Sequence, residues 1–264
     1  GQAHRERFNL LADDDPDDAV KPDAIWDLAL SPDGRLLASA GRNGKIRVWD
    51  LERMEERFQF SVLAGRFAWV DISPDGQHLV ATSRSYDGDT PHVMVWSIPL
   101  QKETQRFSIK PSSHAANPQF ISSDTICVGG DDGHVWFLNV GTGEAQVVQA
   151  HEGSVIGVDF CETAQRLVTT AEDNRIHVWD PSKRKLLNTI QVSDVQEPEL
   201  ARGLARISPD GRWIAFMRIF TAIVEIYDLE SGNRVVEVKP GKRYIQGARF
   251  NHDGSLLVTS EVDG

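Results

Sequence analysis

The chain has 264 residues, with 28 Lys and Arg against 39 Asp and Glu, and a formal net charge of −11 at pH 7. This acidic balance disfavours nonspecific binding to nucleic acid or anionic membranes, because both need clustered positive charge. No apolar run approaches the roughly 20 residues of a membrane span, and the first residues lack the apolar segment of a signal peptide. We therefore expect a cytoplasmic protein that binds neither nucleic acid nor membrane.

The two cysteines, Cys127 and Cys161, show no CxxC or Cys/His ligand spacing. A chain of this size buries about three-quarters of its unfolded surface, so its stability does not require a disulfide. We expect both cysteines to be reduced core residues, although two cysteines leave an exported protein open as an alternative.

The first predicted element is a short strand at residues 4–11, HRERFNLL, which an acidic stretch follows at residues 12–22. The five aspartates of that stretch lack the turn glycine and the distal glutamate of an EF-hand calcium loop. We interpret the stretch as a solvated linker.

The first repeat alternates apolar and polar residues in three short segments, which predict strands at residues 25–30, 36–40 and 45–49. The first two are joined by Ser-Pro-Asp-Gly, a turn sequence in which proline presets φ and glycine accepts a positive φ. The same four residues return at 73–76 and 208–211, with a variant at 251–254. This period, in the low forties, is typical of β-propeller blades.

The ends of the predicted third strands give an independent count of the repeats. They fall at Trp49-Asp50, Trp96-Ser97, Leu138-Asn139, Trp179-Asp180 and Tyr227-Asp228. We therefore predict a single all-β propeller domain over residues 1–264, with five full four-stranded blades near residues 23–62, 63–110, 111–149, 150–199 and 200–240. A partial sixth blade at 241–264 stops before its third strand, which predicts that the natural chain is longer.

The fourth repeat is the most complete copy, with strands predicted at residues 154–160, 166–170 and 175–179. Its His151 and its closing Val178-Trp179-Asp180 resemble the repeat of the WD-repeat (WD-40 type) family, which forms β-propellers. The recurring Ser-Pro-Asp-Gly turns look like those of prokaryotic members.

This resemblance implies a buried hydrogen-bond chain within the blade, on His151, Thr169, Asp173 and Trp179. The chain is structural, because it includes no nucleophile at a cleft. The resemblance also suggests that residues 6–11 form the outer strand of the last blade. Seven blades are usual in the family, which favours a longer chain, and a six-bladed ring closed by residues 6–11 is the alternative.

The other repeats keep only parts of this hydrogen-bond chain. The first repeat has Ser39 and Trp49, with Asn43 in place of the aspartate, and the second has Thr82 and Trp96. The third has Asp132, with His114 as the candidate histidine, and the sixth has Thr259 and Asp263. The fifth repeat has Phe216 and Tyr227 at the corresponding positions, which predicts an apolar core there.

Motifs for catalysis are missing from the sequence. It contains no GxSxG, HExxH, P-loop or Rossmann fingerprint and no clustered metal ligands, so we expect no enzyme activity, no cofactor and no metal. The residues expected at the rim of the central channel are Trp26, Ala68, Asn117, Ile156, Gly203 and Gln246. None of them is acidic or histidine, which disfavours a metal hydrolase.

The WD-repeat resemblance implies instead a non-catalytic scaffold for protein-protein interaction, with a role in signalling. A peptide or protein partner would bind on the wide face, where the candidate residues are Trp26, Arg66, Asn117, Tyr244 and Gln246. Trp, Tyr and Arg supply most interface hot spots, although Trp26 packed between blades is an equal alternative. We also expect fusion to another domain, such as a kinase. A propeller enzyme or small-molecule sensor, with its site in the channel, is the alternative function.

Overall fold

The computed structural model describes residues 25–41, 44–61, 68–83, 92–110, 115–192, 203–218, 221–239 and 245–261. All regular structure in these ranges is β-strand, which confirms the predicted all-β class. Within the same ranges there is no helix of the length and hydrophobicity that crossing a bilayer requires.

The described strands form five four-stranded antiparallel sheets and one two-stranded sheet, each with its strands in chain order. Sheet 1 contains β1 (Ile25–Leu30), β2 (Leu36–Gly41), β3 (Lys45–Asp50) and β4 (Glu55–Ser61), and sheet 2 contains β5 (Ala68–Ile72), β6 (His78–Ser83), β7 (His92–Ser97) and β8 (Lys102–Ser108). Sheet 3 contains β9 (Gln119–Phe120), β10 (Thr125–Gly129), β11 (His134–Asn139) and β12 (Ala145–Gln149), and sheet 4 contains β13 (Val155–Cys161), β14 (Arg166–Ala171), β15 (Arg175–Asp180) and β16 (Lys185–Gln191). Sheet 5 contains β17 (Gly203–Ile207), β18 (Trp213–Arg218), β19 (Val224–Asp228) and β20 (Arg234–Val238), and sheet 6 contains β21 (Ile245–Phe250) and β22 (Leu257–Glu261).

The repeated Ser-Pro-Asp-Gly turns connect the first and second strands of their sheets. In sheet 1, the Ser31 hydroxyl donates to Asp33 Oδ1 at 2.6 Å and accepts the amide of Leu36 at 2.9 Å. Gly34 takes a φ of 71°, a conformation that costs a glycine little. Sheet 2 repeats this arrangement at Ser73 and Asp75.

The core lies between the sheets, with one apolar cluster for each pair of consecutive sheets. Sheets 1 and 2 share a cluster that includes Ile46, Leu79 and Met94, and four more clusters join sheets 2 to 3, 3 to 4, 4 to 5 and 5 to 6. An inner sheet therefore buries both of its faces, which explains why a middle strand such as β7 is apolar along most of its length.

The first strands of consecutive sheets also contact one another, from β1 and β5 through to β17 and β21. Four-stranded antiparallel sheets stacked face to face, with their first strands on the inside, form the arrangement of a WD-repeat propeller. The predicted closing strand at residues 6–11 lies outside the described residues, as do Asn43, His114 and Asp263. The blade boundaries and ring closure stay predictions.

Phe216 and Tyr227 lie in an apolar core cluster, as predicted, but sheet 5 also buries charged residues that were not predicted from the sequence. Glu225 on β19 is fully buried opposite Phe216. Its carboxylate accepts a hydrogen bond from Arg218 Nε at 3.1 Å and another from Arg234 Nη1 at 2.8 Å. Two guanidinium groups offset the cost of burying this carboxylate. The charged residues were missed because the repeats were compared only at the positions that correspond to His151, Thr169, Asp173 and Trp179.

Candidate functional site

The structure brings His151, Thr169, Asp173 and Trp179 together in one hydrogen-bonded chain. His151 Nδ1 lies 3.0 Å from Asp173 Oδ2, and His151 Nε2 lies 2.7 Å from Thr169 Oγ1. Trp179 Nε1 donates to the same Thr169 oxygen at 3.0 Å. A neutral imidazole satisfies this pattern, with Nδ1–H donating to Asp173 and the Thr169 hydroxyl donating to Nε2.

Electrostatics support an ionised Asp173 carboxylate and a neutral His177 imidazole beside His151. Burial alone would raise the pKa of Asp173, but the hydrogen bond and charge of His151 outweigh it and lower that pKa. The His177 ring stacks on His151 with ring centroids 4.0 Å apart. Burial, followed by the charge of His151, lowers the pKa of His177 to about 4.

The order Asp173, His151, Thr169 is that of an acid-base-hydroxyl triad, but its surroundings suit no hydrolytic chemistry. Thr169 is fully buried, and its hydroxyl is already engaged by Trp179. A substrate carbonyl would need to reach that oxygen and a nearby oxyanion site. The chain is therefore a structural link that joins the strands of sheet 4.

The first strands surround a cavity of about 1330 Å³. Its walls come from β1, β5, β13, β17, β21 and β22 and from the segment that leads into β9. Ligand sites are commonly concave and mostly apolar, with a few polar groups that converge. This cavity is the candidate functional site of the described chain.

Three aspartates on the cavity wall bind the backbone of the next sheet. Asp27 Oδ2 accepts the amide of Val70 at 3.0 Å, and Asp71 Oδ2 accepts the amide of Phe120 at 2.7 Å. Asp159 Oδ2 accepts the amide of Ile207, also at 2.7 Å. We call these three aspartates the inter-sheet clamps, because each fixes one first strand to its neighbour.

Asn117 makes the equivalent connection between sheets 3 and 4. Its Nδ2 donates to the carbonyl of Val158 at 2.7 Å, and its Oδ1 accepts the Val158 amide at 3.1 Å. Asn117 therefore lines the cavity with both ends of its amide bonded to backbone. Of the other predicted partner-binding residues, Arg66 and Tyr244 lie outside the described residues, as do the side chains of Trp26 and Gln246.

The predicted rim positions include no acidic residue, but three aspartates that were not predicted there line the cavity. Asp71 and Asp159 stand two residues before the turn that ends each first strand, whereas the predicted rim positions lie near the strand starts. Gly203, one of those positions, faces the sheet interior, since a Cβ there would lie 2.3 Å from Phe216 Cζ. A charged residue inside an apolar first strand was the sequence signal that could have found the clamps.

Burial raises the pKa values of the three cavity aspartates. Burial, with smaller contributions from the charges of Asp27 and Asp159, raises the pKa of Asp71 to about 7 against the opposing hydrogen bond from the Phe120 amide. Burial also raises the pKa of Asp159, against the effect of Arg206. Among the described residues, no group of three or more His, Cys, Asp or Glu could hold a metal ion.

Comparison with known proteins finds the WD domain, G-beta repeat family in two segments, residues 20–50 and 143–180. These segments contain the first repeat and the repeat with the His151 chain. The stacked sheets and these two matches support a resemblance to the WD-repeat family, and they are consistent with a β-propeller of that type.

The individual relatives are large eukaryotic proteins. The chain is 29% identical to Protein groucho of Drosophila melanogaster over 159 residues, which are 59% of this chain and 20% of that protein. It is 27% identical to Transducin-like enhancer protein 2 of Mus musculus over 183 residues, 68% of this chain and 23% of the relative. It is 23% identical to Apoptotic protease-activating factor 1 of Danio rerio over 240 residues, 88% of this chain and 18% of the relative. The chain thus spans about a fifth of the length of these relatives, and their sources give no support to a prokaryotic origin.

Proposed function

We propose that this chain is a non-catalytic protein-interaction scaffold that binds a peptide or protein segment on the wide face of the propeller, around the central cavity. The observation that carries this proposal is the cavity of about 1330 Å³ with a mixed polar and apolar wall. The inter-sheet clamps and Asn117 hold its walls in place. Rigid walls reduce the entropy cost of binding, which favours recognition of a flexible segment.

The names of the relatives are consistent with a scaffold. One is called an enhancer protein, one a protease-activating factor and another a protein transport protein. These roles have no reaction chemistry in common, so we attribute to the shared repeat a binding function. A fold shared by such different proteins supports binding only by analogy, and the cavity supplies the independent argument.

We propose the cytoplasm as the location of this chain. Cys127 and Cys161 are both buried free thiols. Burial raises the pKa of the Cys127 thiol, which keeps it in the unreactive protonated form. Reduced structural cysteines are usual in a reducing compartment.

A small-molecule sensor is the second candidate, and the charged groups of the cavity favour it. Asp27, Asp71 and Asp159 and the guanidinium groups of Arg206 and Arg249 all line one cavity. Convergent polar groups in a concave site are what a small polar ligand requires.

Selection from a random peptide library displayed on phage, followed by affinity measurement in solution, tests the scaffold proposal. We expect the double substitution Trp26→Ala and Tyr244→Ala to weaken the selected peptides at least about tenfold, since aromatic hot spots contribute about 2 kcal/mol or more. Leu100→Ala is the matched control, because Leu100 is 63% exposed in the turn between β7 and β8, away from the cavity. Unchanged binding by the double variant would exclude the wide-face site.

A further inference from the structure

Arg206 and Arg249 occupy the same position on consecutive first strands. Each stands two residues before the turn that begins at Ser208 or Asn251. In both, Nη1 donates to the carbonyl of the preceding residue at 3.1 Å, so the two side chains follow the same course. Both side chains line the central cavity.

The arginine pair makes few direct contacts with carboxylates, although Asp27 and Asp159 lie near enough to act on its charge. The nearest carboxylate oxygen to Arg206 is Asp159 Oδ1, in a single contact of 3.7 Å. Arg206 Nε is buried and has no hydrogen-bond partner among the described residues. Within the same residues, no carboxylate oxygen lies within 4.0 Å of Arg249, which is exposed.

The neighbouring charges repel each other. The cavity walls partly enclose the guanidinium group of Arg249, although the residue as a whole is exposed. This partial desolvation, followed by the charge of Arg206, lowers the pKa of Arg249 against the effect of Asp159 and Asp27. An anionic group bound between the two guanidinium groups would relieve the repulsion and use their free donors. Arginine is suited to this role, because its planar fork matches a carboxylate in two hydrogen bonds.

The same cavity also has an exposed apolar wall. Leu28 and Leu30 on β1 are 49% and 56% exposed, and Val258 on β22 is 65% exposed. All three line the cavity with the arginine pair. A bare inorganic ion would leave this apolar surface in water, whereas a peptide with apolar residues would cover it.

We propose that Arg206 and Arg249 bind the carboxylate of an acidic side chain, presented in the cavity by a peptide segment whose neighbouring residues are apolar. This inference rests on the proposed scaffold function and names the chemistry of its partner. Asp27 and Asp159 satisfy the arginine pair only in part, because Oδ2 of each accepts a backbone amide of the next sheet. The pair's one carboxylate contact within 4.0 Å among the described residues is the 3.7 Å approach of Asp159 Oδ1 to Arg206.

Two synthetic peptide libraries test the proposal. Both have a central fixed residue, Glu in one and Gln in the other, with flanking positions drawn from Leu, Ile, Val, Phe and Met. We expect the best Glu peptide to bind about tenfold more tightly than its Gln counterpart by fluorescence polarisation, because charge-assisted hydrogen bonds carry that difference. Raising the salt concentration should reduce the preference.

Variants of the arginine pair test whether these two residues cause the preference for Glu peptides. Arg249→Gln should abolish the preference for Glu without unfolding the chain, because Arg249 is exposed and forms no ion pair among the described residues. Arg206→Lys keeps the charge opposite Asp159 and should weaken the preference only in part. Arg35→Gln is the control for charge, since Arg35 lies on an exposed turn with 71% of its side chain accessible.

The outcomes separate this inference from the proposed function. Equal binding of Glu and Gln peptides would overturn the carboxylate site and leave the scaffold proposal standing. If no peptide binds but succinate raises the melting temperature of the native chain and not of Arg249→Gln, the carboxylate site is supported and the peptide partner is overturned. If neither probe binds, both proposals fail.

Discussion

Asp71 provides a direct test of the electrostatics of the cavity through the substitution Asp71→Asn. The pKa of this carboxyl group rises from 3.8 to about 7 on folding, chiefly because of burial. Between these two values the folded chain holds a proton that the unfolded chain has lost. Its contribution to stability therefore decreases as the pH rises from about 4 to 7 and is constant above that.

The magnitude follows from the size of the shift. About three pKa units correspond to about 4 kcal/mol. Asp71 borders the cavity and is only partly buried, so solvent screening reduces this figure. We expect Asp71→Asn to be about 1–3 kcal/mol more stable than the native chain at pH 8, since the Asn oxygen can still accept the amide of Phe120. For a chain of this length that gain raises the melting temperature by about 2–8 °C.

The assay is thermal unfolding of both proteins from pH 5 to pH 8. The difference between their melting temperatures should widen as the pH rises to about 7, and at pH 5 it should be about 40% of its value at pH 8. Asp33→Asn is a control of opposite sign, because the Ser31 hydrogen bond lowers the pKa of Asp33 on an exposed turn. Asp33→Asn removes this ionised carboxylate and should therefore destabilise the chain at neutral pH. If Asp71→Asn is less stable at pH 8 and the difference does not change with pH, Asp71 is an ionised, stabilising group and the argument is wrong.

Two further substitutions test the buried networks. Trp179→Ala should lower the free energy of unfolding by about 3–5 kcal/mol, because it is a large-to-small change in the core. Trp179→Phe should cost less, because it loses mainly the hydrogen bond to Thr169. Equal denaturation midpoints for the native and Trp179→Ala proteins would show that Trp179 is not a core residue of this repeat. Glu225→Gln should lower the free energy of unfolding, measured in urea, by about 3–5 kcal/mol, because it removes the buried negative charge that Arg218 and Arg234 share. The control Glu237→Gln lies at the exposed end of the same network and should cost under about 1 kcal/mol.

The sequence predicted local structure well where the signal lies within one repeat. Alternation and turn residues placed β1 as the structure has it, and placed the three inner strands of sheet 4 to within one residue at each end. The spacing within one repeat also identified the residues that meet at His151, because all four lie within 30 residues of one another. A pattern of this kind depends only on the period of a strand and the chemistry of a turn.

Contacts between sheets could not be predicted in the same way. Asp27, Asp71 and Asp159 bind amides that lie 43, 49 and 48 residues away in sequence. The partner in each case is a backbone group, which every residue has, so no residue type marks it. Glu225 was missed for a related reason, since its two arginines come from the strands on either side.

The position two residues before the turn offers a way to separate structural charges from functional ones. It holds Ala29 in sheet 1, Asp71 and Asp159 in sheets 2 and 4, and Arg206 and Arg249 in sheets 5 and 6. The buried Ala29 shows that the fold tolerates an apolar residue at this position. A charged group that is partly removed from water needs a compensating contact. Each aspartate has one in the amide that it accepts. Arg249 has no comparable ion pair among the described residues, so the fold itself makes little use of its charge. The arginine pair is therefore where we look for a partner.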